Sequence, residues 1–290
     1  MKYPLGIQHF TTIREEGWAY VDKTRQIHEI VTTGKFYFLS RPRRFGKSLT
    51  VSTLNELYTG NQALFEGLWI EDRWDWSKRH PVVWLRFVSM NYQHLDLDTA
   101  IRRQLVEVAQ KYELNLPAEY DAKDAFSFLL DQPSSGGEKV VVLVDEYDKP
   151  IIDYLEDDDK VEAQKAILKA FYSVLKDAGD KLELLFITGV TAFSKVSLFS
   201  DLNHLINLTL DPAAATLTGI TEAELDEYFS EPLADVDRKQ LRRSYNGYTW
   251  DGEHTLYNPW SLLNFLRTKR FDNFWFQTGS PSFLIKLMQR

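Results

Sequence analysis

FYFLSRPRRFGKSLTVSTLNELY, residues 36–58, is the stretch from which the fold is predicted. Its first five residues form an apolar run typical of a strand. A loop with three arginines and one proline follows, then Gly-Lys-Ser, and the remainder spaces its apolar residues three and four apart, as a helix does. Strand, tight loop and helix start stand in the order that a phosphate-binding loop requires.

The loop departs from the general phosphate-loop pattern, G-x-x-x-x-G-K-[ST], at one position. Arg41 stands where that pattern has its first glycine. The backbone N–H groups that surround the phosphates come from the second half of such a loop and from the helix start. Pro42 has no N–H, but it lies outside that set of donors. The predicted nucleotide-binding residues are Arg44, Phe45, Gly46, Lys47, Ser48 and Leu49.

Three residues of the loop have separable chemical roles. Gly46 lets the backbone approach the phosphates, Lys47 can reach their β and γ oxygens as a point charge, and Ser48 can offer its hydroxyl to Mg²⁺. Taken by itself, the stretch is also compatible with a capped surface helix behind a basic loop. A second motif is needed to choose between the two.

That second motif is VVVLVDEYDKP, residues 140–150, an apolar strand that ends in two carboxylates. A parallel strand ending beside the loop would place Asp145 where it can hold Mg²⁺ through a bound water. Glu146 can then polarise the water that attacks the γ-phosphate. Acidic residues after a strand often cap helices instead. The pairing with a Lys-Ser loop favours the catalytic interpretation.

A polar residue ends a third apolar run, LELLFITG at 182–189. The hydroxyl of Thr188 can sense the γ-phosphate or orient the attacking water. A β-branched residue at a strand end is equally compatible with packing alone.

Apolar runs alternate with segments of helical periodicity over most of the chain, which is the pattern of an α/β fold. The predicted strands are FYFLS (36–40), VVWLRF (82–87), VVVLVD (140–145), LELLFITG (182–189) and LINLTL (205–210), with helices at 47–58, 97–112 and 161–178. Runs that are apolar at nearly every residue suit parallel strands covered on both faces. The strand VVWLRF, which intervenes between the two motifs, argues against the nucleotide-kinase arrangement, in which the motif strands are neighbours.

After about residue 220 the strand pattern ends and helical segments dominate. Thr221 and Glu224 form a predicted capping box at the first of them. We therefore predict two domains, a P-loop ATPase core at 1–220 and a small helical lid at 221–290 that is incomplete at its C-terminus. Three aromatic residues are expected to pack this lid: Trp250, Tyr257 and Trp260.

Composition restricts the classes of protein to which the chain can belong. With 290 residues, 44% hydrophobic and 14% aromatic, it can bury a large core. The formal charge of −8 gives no general attraction to nucleic acid or anionic lipid. Cysteine is absent, which excludes disulfides and thiolate metal sites. Neither a hydrophobic signal region nor a membrane-length apolar run is visible, so a cytoplasmic protein without membrane contact is expected.

The motifs together resemble the AAA-ATPase-like family of bacterial and archaeal proteins, a P-loop group allied to the AAA and STAND ATPases. The stretches that carry the resemblance are YVDKT (20–24), FYFLSRPRRFGKSLTVSTL (36–54), LFEGLWI (64–70), VVVLVDEYD (140–148), ITGVTAFSKVSLFSDLN (187–203), YNGYTW (245–250), LYNPWSLLNFL (256–266) and FWFQTGSPSFL (274–284). Within that family Arg41 is no departure.

The resemblance implies an α/β P-loop NTPase with a parallel sheet of the additional-strand type, a small helical lid, and ATP and Mg²⁺ as ligands. It assigns the phosphate loop to Gly46, Lys47 and Ser48, the Mg²⁺ and water-activating carboxylates to Asp145 and Glu146, and a sensing role to Thr188. Many members continue into a C-terminal nuclease-like domain of the PD-(D/E)XK type, which lies beyond the end of this chain.

The expected function is Mg²⁺-dependent ATP binding with slow hydrolysis that switches the conformation of core and lid. A nucleotide-gated interaction module with little turnover is one alternative. The ATPase part of a nucleic-acid-processing protein is another, although the net charge of −8 does not support broad binding to nucleic acid. A protein partner or the nuclease-like domain is a further candidate contact.

Overall fold

The computed structural model describes residues 1–132, 137–191, 198–199, 202 and 204–278. Within them, five parallel strands form one sheet, which confirms the predicted α/β class. The strands are β1 Phe36–Ser40, β2 Val82–Arg86, β3 Val140–Asp145, β4 Leu182–Gly189 and β5 Ile206–Asn207. Their order is β2-β3-β4-β1-β5. The strand β4 therefore separates β1 from β3, and β2 lies at an edge of the sheet.

Helices connect and follow these strands. In the described residues they are α1 Phe10–Glu15, α2 Thr24–Thr33, α3 Lys47–Tyr58, α4 Leu97–Lys111, α5 Ala122–Leu130, α6 Lys149–Ile152, α7 Asp158–Tyr172, α8 Glu222–Phe229, α9 Arg238–Tyr245, α10 Pro259–Thr268 and α11 Phe274–Thr278. None of these helices combines the length and the apolar character that crossing a membrane requires.

The sheet is covered on both faces, as its apolar runs predict. Every residue of β3 is buried. Val142 and Val144 belong to a hydrophobic cluster with residues of α4, α5 and α7. Val141 and Leu143 belong to a second cluster with residues of α2 and α3. Because alternate residues of a strand point to opposite faces, the two clusters lie on opposite sides of the sheet.

The strand predicted at 205–210 is shorter in the structure. Only Ile206–Asn207 pairs with the sheet, and a 3₁₀ turn follows over Leu208–Leu210. The Asn207 side chain accepts a hydrogen bond from the backbone N–H of Thr209. This local hydrogen bond competes with strand pairing and ends the strand early.

The helix predicted over 161–178 begins and ends earlier than the apolar spacing indicates. Its N-cap is Asp157, whose side chain accepts a hydrogen bond from Lys160 N. An N-cap aspartate satisfies a free backbone N–H, so the helix starts in the acidic stretch before the apolar residues. A 3₁₀ turn over Ser173–Asp177 replaces its predicted last turns.

A further hydrophobic cluster begins at Ile220 and is built mainly from helices α8 to α10. The predicted capping box is confirmed, because Thr221 Oγ1 accepts from Glu224 N while the Glu224 carboxylate accepts from Thr221 N. Residues 220–278 are termed the helical unit below. The exact division between the two predicted domains stays a prediction, and residues 279–290 of the predicted lid lie outside the described residues.

Gly189, the last residue of β4, leaves room for the buried ring of Tyr147. A Cβ on Gly189 would stand 2.3 Å from Tyr147 Cε1 and 2.5 Å from Tyr147 Cδ1. Because the core is close-packed, the ring cannot move aside freely. We expect Gly189→Ala to lower the free energy of unfolding by about 1–3 kcal/mol in urea denaturation. Gly179→Ala is the matched control, since its Cβ would meet only Phe36 Cζ at 3.8 Å. Equal changes in both variants would contradict this packing.

Candidate functional site

The predicted phosphate loop turns at Gly46, where the backbone is left-handed with a φ of 98°. Residues other than glycine rarely adopt this φ. Helix α3 starts at the next residue, Lys47, so the loop leads directly into a helix N-terminus. Arg44 also has a positive φ, of 67°. Backbone N–H groups at a helix N-terminus have no helical partner, and they bind anions for that reason.

Lys47 is the buried cation of this loop. The residue is 5% exposed, and its Nζ donates to the carbonyl oxygens of Arg41 at 2.9 Å and of Pro42 at 3.0 Å. Burial lowers the pKa of Lys47, while the carboxylates of Glu146 and Asp145 oppose that shift. The lysine and the two acids therefore lie close enough to interact electrostatically.

The two predicted acids lie where β3 ends. Asp145 is 2% exposed, and its Oδ1 accepts a hydrogen bond from Thr188 Oγ1 at 2.7 Å. This contact follows from the pairing of β3 with β4, in which Val144 lies opposite Ile187. Burial, and then the charge of Asp145, raises the pKa of the Glu146 carboxyl. Glu146 has a φ of 57°, so the chain turns sharply as it leaves the strand.

A cleft of about 380 Å³ lies at this edge of the sheet. Of the predicted site residues, those that line it are Arg44, Phe45, Gly46, Lys47, Ser48, Leu49 and Glu146. Lys149 of α6 and Trp260 of α10 line other parts of its wall. Asp145 and Thr188 are outside this lining set, and they join the site through the Lys47–Asp145 interaction and their mutual hydrogen bond.

Phe45, the loop residue before Gly46, is held in place by its ring. Its ring is fully buried and packs edge-on against Tyr248 at 4.7 Å and Trp250 at 5.6 Å between ring centroids. Its carbonyl accepts a hydrogen bond from Gly219 N at 3.2 Å. The side chain therefore anchors the loop to the helical unit.

Arg41, the residue in place of the first glycine, is a second anchor that sequence reasoning missed. It is 1% exposed, and its guanidinium donates to the carbonyls of Ser40 at 2.9 Å, Thr209 at 2.7 Å and Ala214 at 3.0 Å. The guanidinium also lies 4.3 Å from the ring of Trp250. Burial lowers the pKa of Arg41 to about 9. The first half of the loop is thus fixed by a side chain, whereas a glycine would leave it mobile.

Asp148 is the other residue that sequence reasoning missed. It is fully buried and accepts hydrogen bonds from Val190 N at 3.0 Å, Thr191 N at 2.8 Å and Thr191 Oγ1 at 2.7 Å. Burial raises its pKa. Asp148 therefore ties the segment after β3 to the residues after β4. The only signal in the sequence is a third acid in Asp-Glu-Tyr-Asp, which does not reveal its partner.

An apolar pocket of about 100 Å³ adjoins the cleft. Gly46, Leu49 and Leu263 line both, so the two spaces share a wall. Val21 of the N-terminal segment and Thr218 line the pocket on other sides. The hydroxyl of Thr218 is buried and has no hydrogen-bond partner among the described residues. Such a group is satisfied only when a ligand or water reaches it.

The residues present fit a Mg²⁺ ion by their chemistry. Mg²⁺ prefers hard oxygen ligands, and usually takes one or two from the protein together with waters and phosphate oxygens. Ser48 offers a hydroxyl at the start of α3, and Asp145 offers a carboxylate at the end of β3. Both are of the oxygen type that the ion requires.

A family model with the description "Predicted AAA-ATPase" matches residues 4–199 of the chain. The match places the protein in the class of predicted ATPases, for which ATP is the implied ligand. The chain belongs to the AAA-ATPase-like family, which confirms the resemblance seen in its motifs.

A curated relative from Azotobacter chroococcum mcd 1 carries the description "Uncharacterized protein in vnfD 5'region". It is 43% identical to this chain over 292 residues. The alignment covers 99% of this chain and 56% of the relative, so the chain spans little more than half of that protein's length. No solved structure matches.

Proposed function

We propose that this protein binds ATP with Mg²⁺ in the 380 Å³ cleft and hydrolyses it slowly. Hydrolysis would change the arrangement of the predicted core, residues 1–220, relative to the helical unit. The observation that carries the proposal is that the loop residues Gly46 to Leu49 and the acid Glu146 line one cleft. A cleft at the carboxyl ends of parallel strands is where α/β proteins bind their ligands.

The strand order supports a P-loop fold of the additional-strand type. The loop follows β1 and the acids end β3, and β4 stands between those two strands. In the nucleotide-kinase arrangement the two motif strands would be neighbours. The extra strand also brings Thr188 beside Asp145, which suits a residue that reports on the terminal phosphate.

The residues divide the work of hydrolysis among them. Loop amides and the Lys47 ammonium neutralise the phosphates, and Glu146 accepts a proton from the attacking water. Ser48 and Asp145 would hold Mg²⁺, which would supply positive charge beside the phosphates. Thr188 orients the Asp145 carboxylate through its 2.7 Å hydrogen bond.

The apolar pocket beside the loop is suited to the base of the nucleotide. It lies next to the cleft, with which it shares lining residues, and its walls are mainly apolar. Its volume of about 100 Å³ is small for a purine, so the half-buried walls Val21 and Leu263 must shift when a base enters. Leu263 belongs to α10, and such a shift would transmit binding to the helical unit.

A nucleotide-gated module with little turnover is the second candidate. Among the described residues, no arginine of helices α8 to α11 lines the cleft. An arginine from a lid or a neighbouring subunit typically accelerates phosphoryl transfer by a large factor. Because the described lining has no arginine from these helices, we expect ATP hydrolysis to be slow.

Glu146→Gln separates these two functions. The amide cannot accept a proton, so we expect at least about a 100-fold loss of phosphate release with ATP affinity kept within about threefold. Calorimetry with Mg²⁺ and ATP, followed by single-turnover phosphate release, measures both. Glu183 is a half-buried acid near the start of β4, away from the cleft. Glu183→Gln is therefore the matched control and should behave as wild type. ATP binding without phosphate release in the wild-type protein would instead support the gated module.

A further inference from the structure

Two arginines of the phosphate loop stack on tryptophans of the helical unit, but their environments differ. Arg41 donates to three backbone carbonyls through its two terminal nitrogens and is held in the core. Arg44 lies with its guanidinium carbon 4.3 Å from the ring of Trp260. Among the described residues, the Arg44 guanidinium has neither a hydrogen-bond acceptor nor an ion-pair partner.

The position of Arg44 directs its charge to the phosphate cleft. Arg44 and Trp260 both line the cleft, together with Lys47 and Ser48. A guanidinium carries five N–H donors in a planar fork that matches the oxygens of a phosphate. A half-buried arginine with free donors beside a phosphate loop is therefore available to a polyanion. Stacking on an aromatic face leaves the edge donors of the guanidinium free.

Trp260 is itself held in place. Its indole Nε1 donates to the carbonyl of Phe274 at 3.2 Å, and its own carbonyl accepts from Asn264 Nδ2 at 2.8 Å. The ring thus has a fixed orientation at the start of α10. An aromatic face anchored in this way restricts the rotamers that the Arg44 side chain can adopt.

Three arginines of the helical unit lie away from the cleft. Arg242 and Arg243 of α9 line a separate pocket with Lys239 and Thr255. Arg238 is engaged by Glu222 and Asp226. None of these three lines the cleft.

We infer that the Arg44 side chain binds the phosphate chain of the nucleotide directly, and that Trp260 is its positioning residue. The loop thereby adds one guanidinium to the positive charge that Lys47 places beside the phosphates. This assignment rests on the proposed function, because it requires a nucleotide in the cleft. It adds a guanidinium and an aromatic platform to the backbone groups of the loop.

Calorimetric titration with Mg²⁺-ATP and with Mg²⁺ and inorganic tripolyphosphate tests the inference. Arg44→Asn removes the guanidinium while tolerating the positive φ of this position. We expect this variant to lose about 10–100-fold in affinity for both ligands by the same factor, because the lost contact is to phosphate. Arg44→Lys keeps the charge without the planar fork and should fall between wild type and Arg44→Asn.

The Trp260 role is tested by a double-mutant cycle. Trp260→Leu should weaken both ligands by about two- to fivefold, and Trp260→Phe should restore most of that loss. In the Arg44→Asn background, Trp260→Leu should have no further effect on either affinity, because there is then no guanidinium for the indole to position. Arg242→Ala, an exposed arginine of α9, is the matched control and should leave both affinities unchanged.

Three results would overturn the inference. A loss for ATP but not for tripolyphosphate in Arg44→Asn would assign the side chain to the base or ribose. A Trp260→Leu effect that persists without Arg44 would make the indole a ligand contact of its own. Unchanged affinity in Arg44→Asn would remove the role of the guanidinium while leaving ATP binding intact. If the wild-type protein binds neither ligand, the proposed function fails and this assignment fails with it.

Discussion

Replacing Lys47 by alanine is expected to abolish measurable ATP binding, with a loss of affinity of about 100-fold or more. The lysine is the buried cation of the cleft, and the two acids near it add negative charge to the space in which we propose that a triphosphate binds. Without the ammonium, phosphate oxygens would face Glu146 and Asp145 with less compensation. Calorimetric titration with ATP and Mg²⁺ gives the affinity directly.

The fold is expected to survive this substitution, which makes the binding result interpretable. Burial already lowers the pKa of Lys47, so removing its charge also removes a desolvation cost. The lost bonds are those to the carbonyls of Arg41 and Pro42, and because Lys47 lines the cleft, its removal opens space through which water can reach both carbonyls. Thermal unfolding of the variant should therefore change little.

Lys111→Ala serves as the control for charge alone. Lys111 is exposed and lines a different pocket, so the same charge is removed far from the loop. This variant should bind ATP as the wild type does. Equal affinity of wild type and Lys47→Ala would place the nucleotide somewhere other than the phosphate loop, and the proposed site would be wrong.

Local elements of this fold are predictable from the sequence because their signals are local. The helix predicted over 47–58 is present as Lys47–Tyr58, since its apolar spacing and the preceding glycine both act within a few residues. The fully buried β3 follows from an uninterrupted apolar run. The capping box of Thr221 and Glu224 depends on two residues three positions apart.

Contacts between residues far apart in the sequence cannot be predicted from such local signals. The sequence predicts that Trp250 and Trp260 pack the lid, and in the structure they also stack on Arg41 and Arg44 of the predicted phosphate loop. An arginine in a sequence is most often a solvated residue, so its burial shows only when the tertiary partner is known. The same holds for Asp148, whose acceptor role depends on residues after β4. Periodicity gives the face of an element but not its partner.

The second large effect is expected where the N-terminal segment meets the helical unit. Lys23 and Glu224 form an ion pair whose side chains are 11% and 13% exposed, with Nζ 2.5 Å from Oε1 and 2.7 Å from Oε2. The third donor of Lys23 reaches the carbonyl of Thr216 at 2.8 Å. Removing one partner of such a pair leaves the other charge buried without compensation, and this costs about 3–5 kcal/mol.

Glu224→Gln isolates the charge from the helix cap. Glutamine at this position still accepts the hydrogen bond from Thr221 N, so the capping box is kept while the carboxylate charge is lost. We expect the free energy of unfolding, measured by urea denaturation at neutral pH, to fall by about 3–5 kcal/mol. This is a large share of the total stability of a typical domain, which is about 5–15 kcal/mol.

The double variant Lys23→Met/Glu224→Gln provides the control. Methionine removes the second charge and fills a similar volume, so most of the lost stability should return. Thr221→Ala tests the cap separately and should cost only about 1 kcal/mol. A double variant as unstable as Glu224→Gln would show that packing or the cap, and not the unpaired charge, carries the effect.

The pH dependence of Glu224→Gln follows from the same pair. Burial lowers the pKa of Lys23 in the folded protein, and the interactions with Glu224 oppose that shift. Without Glu224, the folded pKa drops further below the unfolded value of 10.5, so the unfolded chain binds more protons over that interval. The free energy of unfolding of this variant should therefore rise with pH between the lowered pKa of Lys23 in the folded protein and the unfolded value of 10.5. The rise should be larger than in the wild type. If wild type and variant showed parallel pH profiles of stability, water would solvate the Lys23 ammonium once Glu224 is replaced. The contact between the N-terminal segment and the helical unit would then be more open to water than the 11% exposure of the Lys23 side chain indicates.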